Sequence, residues 1–428
     1  MTTCRIKALL WIIAFFIGCL FSARTEELTR QTVSGAGPAV LSMGDRGAYK
    51  IVERSDWSRY DNGQYVGHVY REVRASILPG TNRDVRTRTA ASGTRWYRGN
   101  FFVLEETLRD MRQSAQAVDV VIPVSFGINE KGALKIEEDR GFPSLRGFPV
   151  FPDEPVKAGA KWTAAGSRAV DPLNEGQPVV VPLTAGYEYR GIELYRDIPV
   201  HRIFAKYASR YHGEGPGFNQ LQGTHNVDIL IRVSNGLPLL MRDTLEETYT
   251  WPDGSTVRFR GFTLTFGEGI VPLDRTSLAS SLGNFLKSTP APGSSGGSRI
   301  PEEAMTGIDI TNVDEGLRLT LKDARFYPDS DEFLPVERPR LDRIAQALRQ
   351  IPGRTFLVEG HTAAVGRPSG EMELSLRRAK RMVDELISRG IPPERFMYKG
   401  WGGTKPLGDN ADEAGRARNR RVEITILE

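Results

Sequence analysis

The sequence predicts an α+β multidomain protein in which a β-rich N-terminal domain and a central antiparallel β-domain precede an α/β sandwich. A chain of 428 residues exceeds the size of one ordinary domain. Apolar and polar residues alternate in short runs up to about residue 270, whereas helical spacing appears together with strands after residue 306. The predicted divisions are residues 1–23 (signal peptide), 24–145 (N-terminal β-rich domain), 146–275 (central β-domain), 276–305 (linker) and 306–428 (C-terminal domain).

The first residues have the order of an export signal. Arg5 and Lys7 precede an apolar run over residues 8–20, and the small residues Ser22 and Ala23 follow it. The run is shorter than a comfortable membrane span, which favours a cleaved signal peptide over a retained anchor. We therefore expect the protein to be exported to the periplasm.

Both cysteines of the chain lie in this first segment. Cleavage near Ala23 would remove Cys4 and Cys19 and leave a mature chain without a disulfide. Alternatively, Ile17-Gly18-Cys19 is a lipobox, in which case Cys19 becomes a lipidated N-terminus that attaches the protein to a membrane. The sequence leaves both alternatives open.

The N-terminal and central regions consist of strand patterns joined by tight turns. Asp61-Asn62-Gly63 separates two alternating runs and predicts a hairpin, as do Asn235-Gly236 and Asp253-Gly254 further along. The proline-rich residues 142–155 cannot form a regular element, so we place a domain boundary near them. The central runs predict an antiparallel meander that forms a barrel, half-barrel or sandwich. These runs cover residues 178–183, 185–194, 198–207, 224–233, 237–249 and 256–266.

The C-terminal region alternates strands with helices. A helix is predicted over residues 335–348, and a strand over residues 355–360 leads through a polar loop to a second helix over residues 374–389. Further strands are predicted at residues 395–400 and 421–427. The strand-loop-helix unit presents free backbone donors where the helix starts, and such donors can bind a ligand carboxylate.

Several short motifs in this region occur at a fixed spacing. They are Val358-Glu359-Gly360-His361-Thr362, Gly366, Leu374-Ser375, Arg378-Ala379, Gly400-Trp401-Gly402, Gly415-Arg416-Ala417 and Asn419-Arg420-Arg421-Val422-Glu423. With them, residues from about Gly316 to Glu428 resemble the OmpA-like C-terminal family. The resemblance implies a peptidoglycan-binding domain in an outer-membrane-associated envelope protein, with peptidoglycan and other envelope proteins as partners.

The resemblance also implies a pocket, which departs from the family pattern in this chain. In the family, an Asp and an Arg bind the amino and carboxylate groups of diaminopimelate. The Arg is present as Arg378, but Ala363 occupies the Asp position and Glu371 occupies a position that is Asn in the family. Losing one charge-assisted hydrogen bond of about 1.5–3 kcal/mol weakens binding roughly 10- to 150-fold. The predicted pocket residues are Thr362, Ala363, Gly366, Glu371, Arg378, Asn419, Arg420 and Arg421.

Composition and motifs argue against several other functions. A net charge of +4 gives no reason to expect a nucleic-acid partner. The five histidines are scattered without metal-type spacing, and no nucleophile elbow occurs, so we predict a non-enzymatic protein without metal or cofactor. An enzyme would require a carboxylate or Ser/His constellation assembled by folding. In a further alternative, the C-terminal domain makes protein–protein contacts and the β-domains bind a lipid, a glycan or a partner protein.

Overall fold

The computed structural model describes residues 37–80, 93–105, 115–213, 217–288, 307–322 and 324–428, together with the backbone of residues 31 and 32. The predicted signal peptide, Cys19 and residues 289–305 of the predicted linker lie outside the described residues. Within the described part of the chain, no helix combines the length and the apolar character needed to cross a membrane.

Between residues 31 and 269, the described strands form one large antiparallel sheet. Its strands are β1 (Gln31–Thr32), β2 (Tyr49–Asp61), β3 (Gln64–Pro79), β4 (Arg95–Leu104), β5 (Gln116–Ile128), β6 (Leu134–Ile136), β7 (Leu145–Arg146), β8 (Lys161–Val170), β9 (Val179–Tyr195), β10 (Ile198–His212), β11 (Gln220–Arg232), β12 (Pro238–Thr250) and β13 (Thr256–Gly269). Asn62 and Gly63 have positive φ values of 49° and 80°, as the predicted β2–β3 hairpin turn requires.

The two predicted β-domains share this sheet. Strand β13 pairs with β2 along its whole length, from Val257 opposite Asp61 to Gly269 opposite Tyr49. The predicted boundary between residues 145 and 146 therefore does not separate two sheets. Alternation along a strand shows which face is buried, but it does not identify a pairing partner about 200 residues away.

The sheet runs in the order β8-β9-β10-β11-β12-β13-β2-β3-β4-β5-β6. Its inward face carries a core that includes Ile77, Tyr97, Ile203, Val227 and Ile229. Side chains from β5 and from β8, which lie towards opposite ends of this order, line the same cavity, so the sheet curls strongly on itself.

The C-terminal part is a five-stranded sheet with helices on one face. Its strands are β14 (Ile308–Val313), β15 (Gly316–Lys322), β16 (Phe356–His361), β17 (Phe396–Gly400) and β18 (Arg421–Leu427), and its helices are α1 (Arg275–Lys287), α2 (Arg338–Arg349), α3 (Pro368–Ser388) and α4 (Glu413–Asn419). The strand order is β14-β15-β18-β16-β17, and only β16 and β17 run parallel to each other. The predicted α/β sandwich is present in this part of the chain.

Helix α1 covers residues 276–287 of the predicted linker. The Asp274 side chain caps it by accepting a hydrogen bond from the Ser277 N–H at 3.0 Å. Its Leu282 and Leu286 are buried in the core of the C-terminal part. The linker prediction is therefore wrong for residues 276–287, because a capped helix buries its apolar side chains there.

Helix α3 begins at Pro368, six residues before the predicted start. Proline favours the first position of a helix because its missing N–H would have no partner there. The first turn lies at the surface, so it lacks the apolar spacing on which the prediction depended.

The two parts of the chain pack directly against each other. Strand β17 pairs in parallel with β5, with Met397 opposite Gln116 and Tyr398 opposite Ala117. An apolar cluster beside this pairing is formed by Phe102, Leu104, Val118, Leu357, Met397 and Leu427. The C-terminal domain is therefore docked on the large sheet in this structure.

Candidate functional site

The predicted strand-loop-helix unit depends on close packing at two glycines. A Cβ atom at Gly360 would lie 2.1 Å from the carbonyl oxygen of Ser375, and one at Gly400 would lie 2.6 Å from its Oγ. Such distances exclude any side chain at either position. The two glycines thus allow helix α3 to lie directly on β16 and β17, which fixes the loop between β16 and α3.

Ser375 ties the helix to the neighbouring loop. Its hydroxyl donates to the Met372 carbonyl at 2.8 Å and accepts from the Gly402 N–H at 2.8 Å. The Thr362 N–H in turn donates to the Gly402 carbonyl at 2.9 Å. The loops that follow β16 and β17 are therefore held together, with Thr362 and the adjacent Ala363 both buried.

Glu371 hydrogen-bonds to its own loop. Its Oε1 accepts from the backbone N–H groups of Val365 at 2.8 Å and Gly366 at 2.6 Å. Two of the backbone donors beside the helix start thus already have an acidic acceptor. Ala363 contributes only a methyl group.

Arg378 lies inside the domain, one turn along α3 from Ser375. It is 8% exposed, its Nε donates to the Ser330 carbonyl at 3.0 Å, and its guanidinium lies 4.6 Å from the centroid of the Phe326 ring. Burial lowers the pKa of Arg378 below its ordinary value. An arginine remains charged even so, and its other nitrogens are suited to a carboxylate.

Asn419, the last residue of α4, holds the loop over residues 407–410. Its Oδ1 accepts from Leu407 N–H at 2.7 Å and Gly408 N–H at 2.9 Å, and its Nδ2 donates to Asn410 Oδ1 at 2.9 Å. Asn410 Oδ1 also accepts from the Ala364 N–H at 3.1 Å. Sequence reasoning missed Asn410, because it lies outside the motifs and only folding brings it beside Ala364.

The two following arginines have different environments. Arg421 is 4% exposed and donates to Glu423 Oε1 at 2.6 Å and to the Lys405 carbonyl at 3.1 Å. Arg420 is half-buried and forms an ion pair with Glu413. Alternation along β18 directs Arg421 away from the core that Val422 helps to form with the helices, so Arg421 supports the other face of the sheet.

The structure therefore places Thr362, Ala363 and Gly366 on one loop, which Glu371 contacts from the first turn of α3. Asn419 reaches that loop through Asn410, whereas Arg421 is engaged in an internal ion pair.

The large sheet contains a Ser/His/carboxylate cluster that the sequence did not predict. His225 Nδ1 lies 2.8 Å from Asp243 Oδ2, and His225 Nε2 lies 3.0 Å from Glu247 Oε1 and 3.2 Å from Ser209 Oγ. Tyr207 stacks on the imidazole with ring centroids 4.1 Å apart. Ser209 and His225 are each almost fully buried.

The two carboxylates beside His225 argue against a catalytic triad. Burial alone would lower the pKa of His225, but hydrogen bonds to Asp243 and Glu247 raise it above its ordinary value. Burial alone would raise the pKa of Glu247, but Arg168 and His225 hold it well below its usual range. A carboxylate oxygen lies within 3.0 Å of each ring nitrogen, so both nitrogens are placed to donate. A ring nitrogen that donates its proton in this way has no lone pair to accept a serine proton, so this arrangement does not activate Ser209 as a nucleophile.

Known proteins resemble the C-terminal part of the chain. The model of the OmpA family matches residues 325–420. Outer membrane protein A of Bordetella avium is 40% identical over 105 residues, which are 24% of this chain and 54% of that protein. Peptidoglycan-binding protein ArfA of Mycobacterium tuberculosis is 34% identical over 101 residues, 24% of this chain and 31% of that protein.

A third relative is matched over more of its length. The outer-membrane lipoprotein YfiB of Pseudomonas aeruginosa is 32% identical over 114 residues, which are 26% of this chain and 68% of that protein. The chain spans about half or less of the other two relatives, and the family match does not include the large sheet.

Proposed function

The chain belongs to the OmpA family through residues 325–420, and we propose that it is a non-enzymatic, exported protein of the cell envelope that acts as a tether or scaffold at the peptidoglycan layer. The observation that carries this proposal is the strand-loop-helix unit, in which Gly360, Ser375 and Arg378 keep the family spacing. Relatives named as an outer membrane protein and as a peptidoglycan-binding protein support it.

We further propose that the diaminopimelate pocket is impaired. Diaminopimelate presents an ammonium group beside a carboxylate, so its tight binding requires a protein group of each sign. Arg378 provides the cation, but Ala363 has no acceptor for the ammonium group. Glu371 is a poor substitute, since its Oε1 already accepts two hydrogen bonds from Val365 and Gly366.

Sacculus sedimentation with the purified chain tests this proposal. The wild-type chain should bind sacculi weakly, and Ala363→Asp should raise the affinity for sacculi and for free diaminopimelate by roughly 10- to 150-fold. Ala364→Asp is the matched control, because its side chain is exposed on the same loop. Tight, saturable binding by the wild-type chain would contradict the impaired pocket, and no gain in Ala363→Asp would show that the pocket also differs in shape.

A second candidate function is protein–protein contact by the OmpA-like domain, with the β-rich part binding a lipid, a glycan or a partner protein. The internal engagement of Glu371 and Arg378 favours it, because these side chains are partly occupied without a ligand. If Ala363→Asp binds sacculi and the wild-type chain does not, the second function gains support.

A further inference from the structure

A cavity of about 650 Å³ lies within the curled large sheet. This volume is in the range of pockets that hold small organic ligands, roughly 300–1,000 Å³. Aliphatic and aromatic side chains form much of its wall, among them Val73, Val103, Ile122, Phe142 and Met241. A hydrocarbon chain placed against this wall would be removed from water, which is the main favourable contribution to binding apolar groups.

The cavity opens to solvent beside β5. Val120 and Pro123 on this strand line the cavity and are exposed to solvent. Three residues outside β5 also line the cavity and are exposed: Asp139, Gly176 and Pro178. The opening therefore lies between β5 and the connections that precede β8 and β9, where a ligand can enter without breaking the sheet.

One row of inward-facing residues across four neighbouring strands is polar. Asp243 on β12 is opposite Thr263 on β13, Thr263 is opposite Ser55 on β2, and Ser55 is opposite Arg71 on β3. The Ser55 and Thr263 hydroxyls are 3.0 Å apart. The next row places Thr265 and Glu53 between Met241 and Val73. Val103, Ile122 and Phe142 line the same cavity and are apolar, so a single ligand can contact both kinds of surface.

The charges at the two ends of this row already have partners. Asp243 Oδ2 lies 2.8 Å from His225 Nδ1. The guanidinium of Arg71 lies 3.4 Å from the carbonyl oxygens of Asp171 and Pro172 and 5.4 Å from the Trp57 ring centroid. A charged ligand group placed on this row would therefore find no uncompensated opposite charge on it, and burying that group there would be costly.

Hydroxyl groups suit this row better. An alcohol donates one hydrogen bond and accepts others, so it can donate to a carboxylate such as Asp243 and accept from Arg71 or from a threonine hydroxyl. Glu53 lines the same cavity, and burial raises its pKa, an effect that Arg168 and Arg71 offset in part.

We propose that this cavity is a binding site for a single-chain amphiphile whose head is uncharged and carries hydroxyl groups, with the chain on the apolar wall and the head on Asp243, Thr263 and Arg71 of the polar row. The site is separate from the OmpA-like loop, and the inference does not depend on peptidoglycan binding.

Titration of the purified chain with monooleoylglycerol, followed by calorimetry and native mass spectrometry, tests this site. We expect saturable binding of one molecule per chain. Oleic acid at pH 8 and oleylamine at pH 7 carry the same chain with a negative or a positive head, and each should bind at least tenfold more weakly.

Two pairs of variants locate the ligand. Thr265→Phe places a ring in the cavity and should lower the affinity at least tenfold, whereas Leu264→Phe lies on the outward face of the same strand and should not. Thr263→Val removes one hydroxyl without changing the shape of the side chain and should lower the affinity about three- to tenfold. Circular dichroism and thermal melting establish that each variant is folded.

Three results would overturn the proposal: no saturable binding of any of the three amphiphiles, equal affinity for the charged and uncharged heads, or equal effects of Thr265→Phe and Leu264→Phe. Sacculus binding is unaffected by these variants if the two sites are independent, so failure here is distinguishable from failure of the peptidoglycan proposal.

Discussion

The carboxylate of Glu371 lies 2.6 Å from the backbone nitrogen of Gly366, which precedes the helix that carries Glu371. The same Oε1 atom accepts from Val365 N–H. Acidic groups in the first turn of a helix also interact favourably with its dipole. Glu371 therefore stabilises the loop between β16 and α3.

Glu371→Ala should loosen this loop. We expect the free energy of unfolding to fall by about 1 kcal/mol, because charge-assisted hydrogen bonds to exposed backbone are partly replaced by water. Amide hydrogen exchange at Val365 and Gly366 should become faster in the variant. Glu373→Ala, which removes an exposed ion pair with Arg377, is the control and should leave exchange at these two amides unchanged. Equal exchange rates in both variants would contradict the role assigned to Glu371.

The His225 cluster predicts a pH-dependent stability. Because the pKa of His225 in the folded state lies above its ordinary value of 6.5, the stabilisation from the imidazolium is complete below pH 6.5 and disappears as pH rises through the folded-state pKa. The difference in unfolding free energy between wild type and His225→Gln should therefore shrink as pH rises above 6.5. Urea unfolding between pH 5.5 and about 9 measures this difference. His212→Gln, at an exposed histidine, is the control. A difference that is constant or grows with pH would show that His225 is buried in its neutral form.

The environment of Glu423 predicts that the free energy of unfolding depends on pH in the acid range. Burial alone would raise the pKa of Glu423, but His361, Arg318 and Arg421 hold it at about 2, below its ordinary value of 4.5. Its stabilising contribution is thus present above pH 4.5 and is lost as pH falls towards 2. The lowered pKa corresponds to a contribution of about 3 kcal/mol to the free energy of unfolding, of which about 2 kcal/mol should be lost by about pH 3. Urea unfolding at a series of pH values measures this effect, and Glu423→Gln should remove this part of the acid dependence. If the free energy of unfolding falls equally with pH in the variant and the wild type, the role assigned to Glu423 is wrong.

The apolar cluster around Met397 predicts that the two parts of the chain stabilise each other. Met397 is 1% exposed and packs with Phe102 and Val118 of the large sheet. Met397→Ala should cost about 2–5 kcal/mol, since it removes buried atoms and leaves a cavity. The exposed Met372→Ala is the control, with an expected change below about 0.5 kcal/mol. A similarly small change in Met397→Ala would mean that the cluster does not stabilise the docked arrangement.

Local patterns predicted the individual elements well. The alternation around Asp61-Asn62-Gly63 and the spacing of the C-terminal motifs identified strands β2, β3, β16 and β18, because strand faces and tight turns depend on neighbouring residues. The start of helix α3 was missed because its first turn is polar and exposed. Asn410 was missed because its contact with Ala364 joins two loops that are far apart in sequence.

The sequence by itself identified an OmpA-like domain in the C-terminal region, and the family match over residues 325–420 confirms it. It also predicted that Ala363 and Glu371 occupy positions of the family's pocket, since both inferences depend only on residue type and spacing. Only the tertiary structure decided that the two β-rich regions form one sheet, that the sheet encloses a cavity, and that His225 joins Asp243 and Glu247. The physical reason is that strand pairing and side-chain clusters join residues far apart in the chain, and their energies depend on distances that spacing along a sequence does not contain.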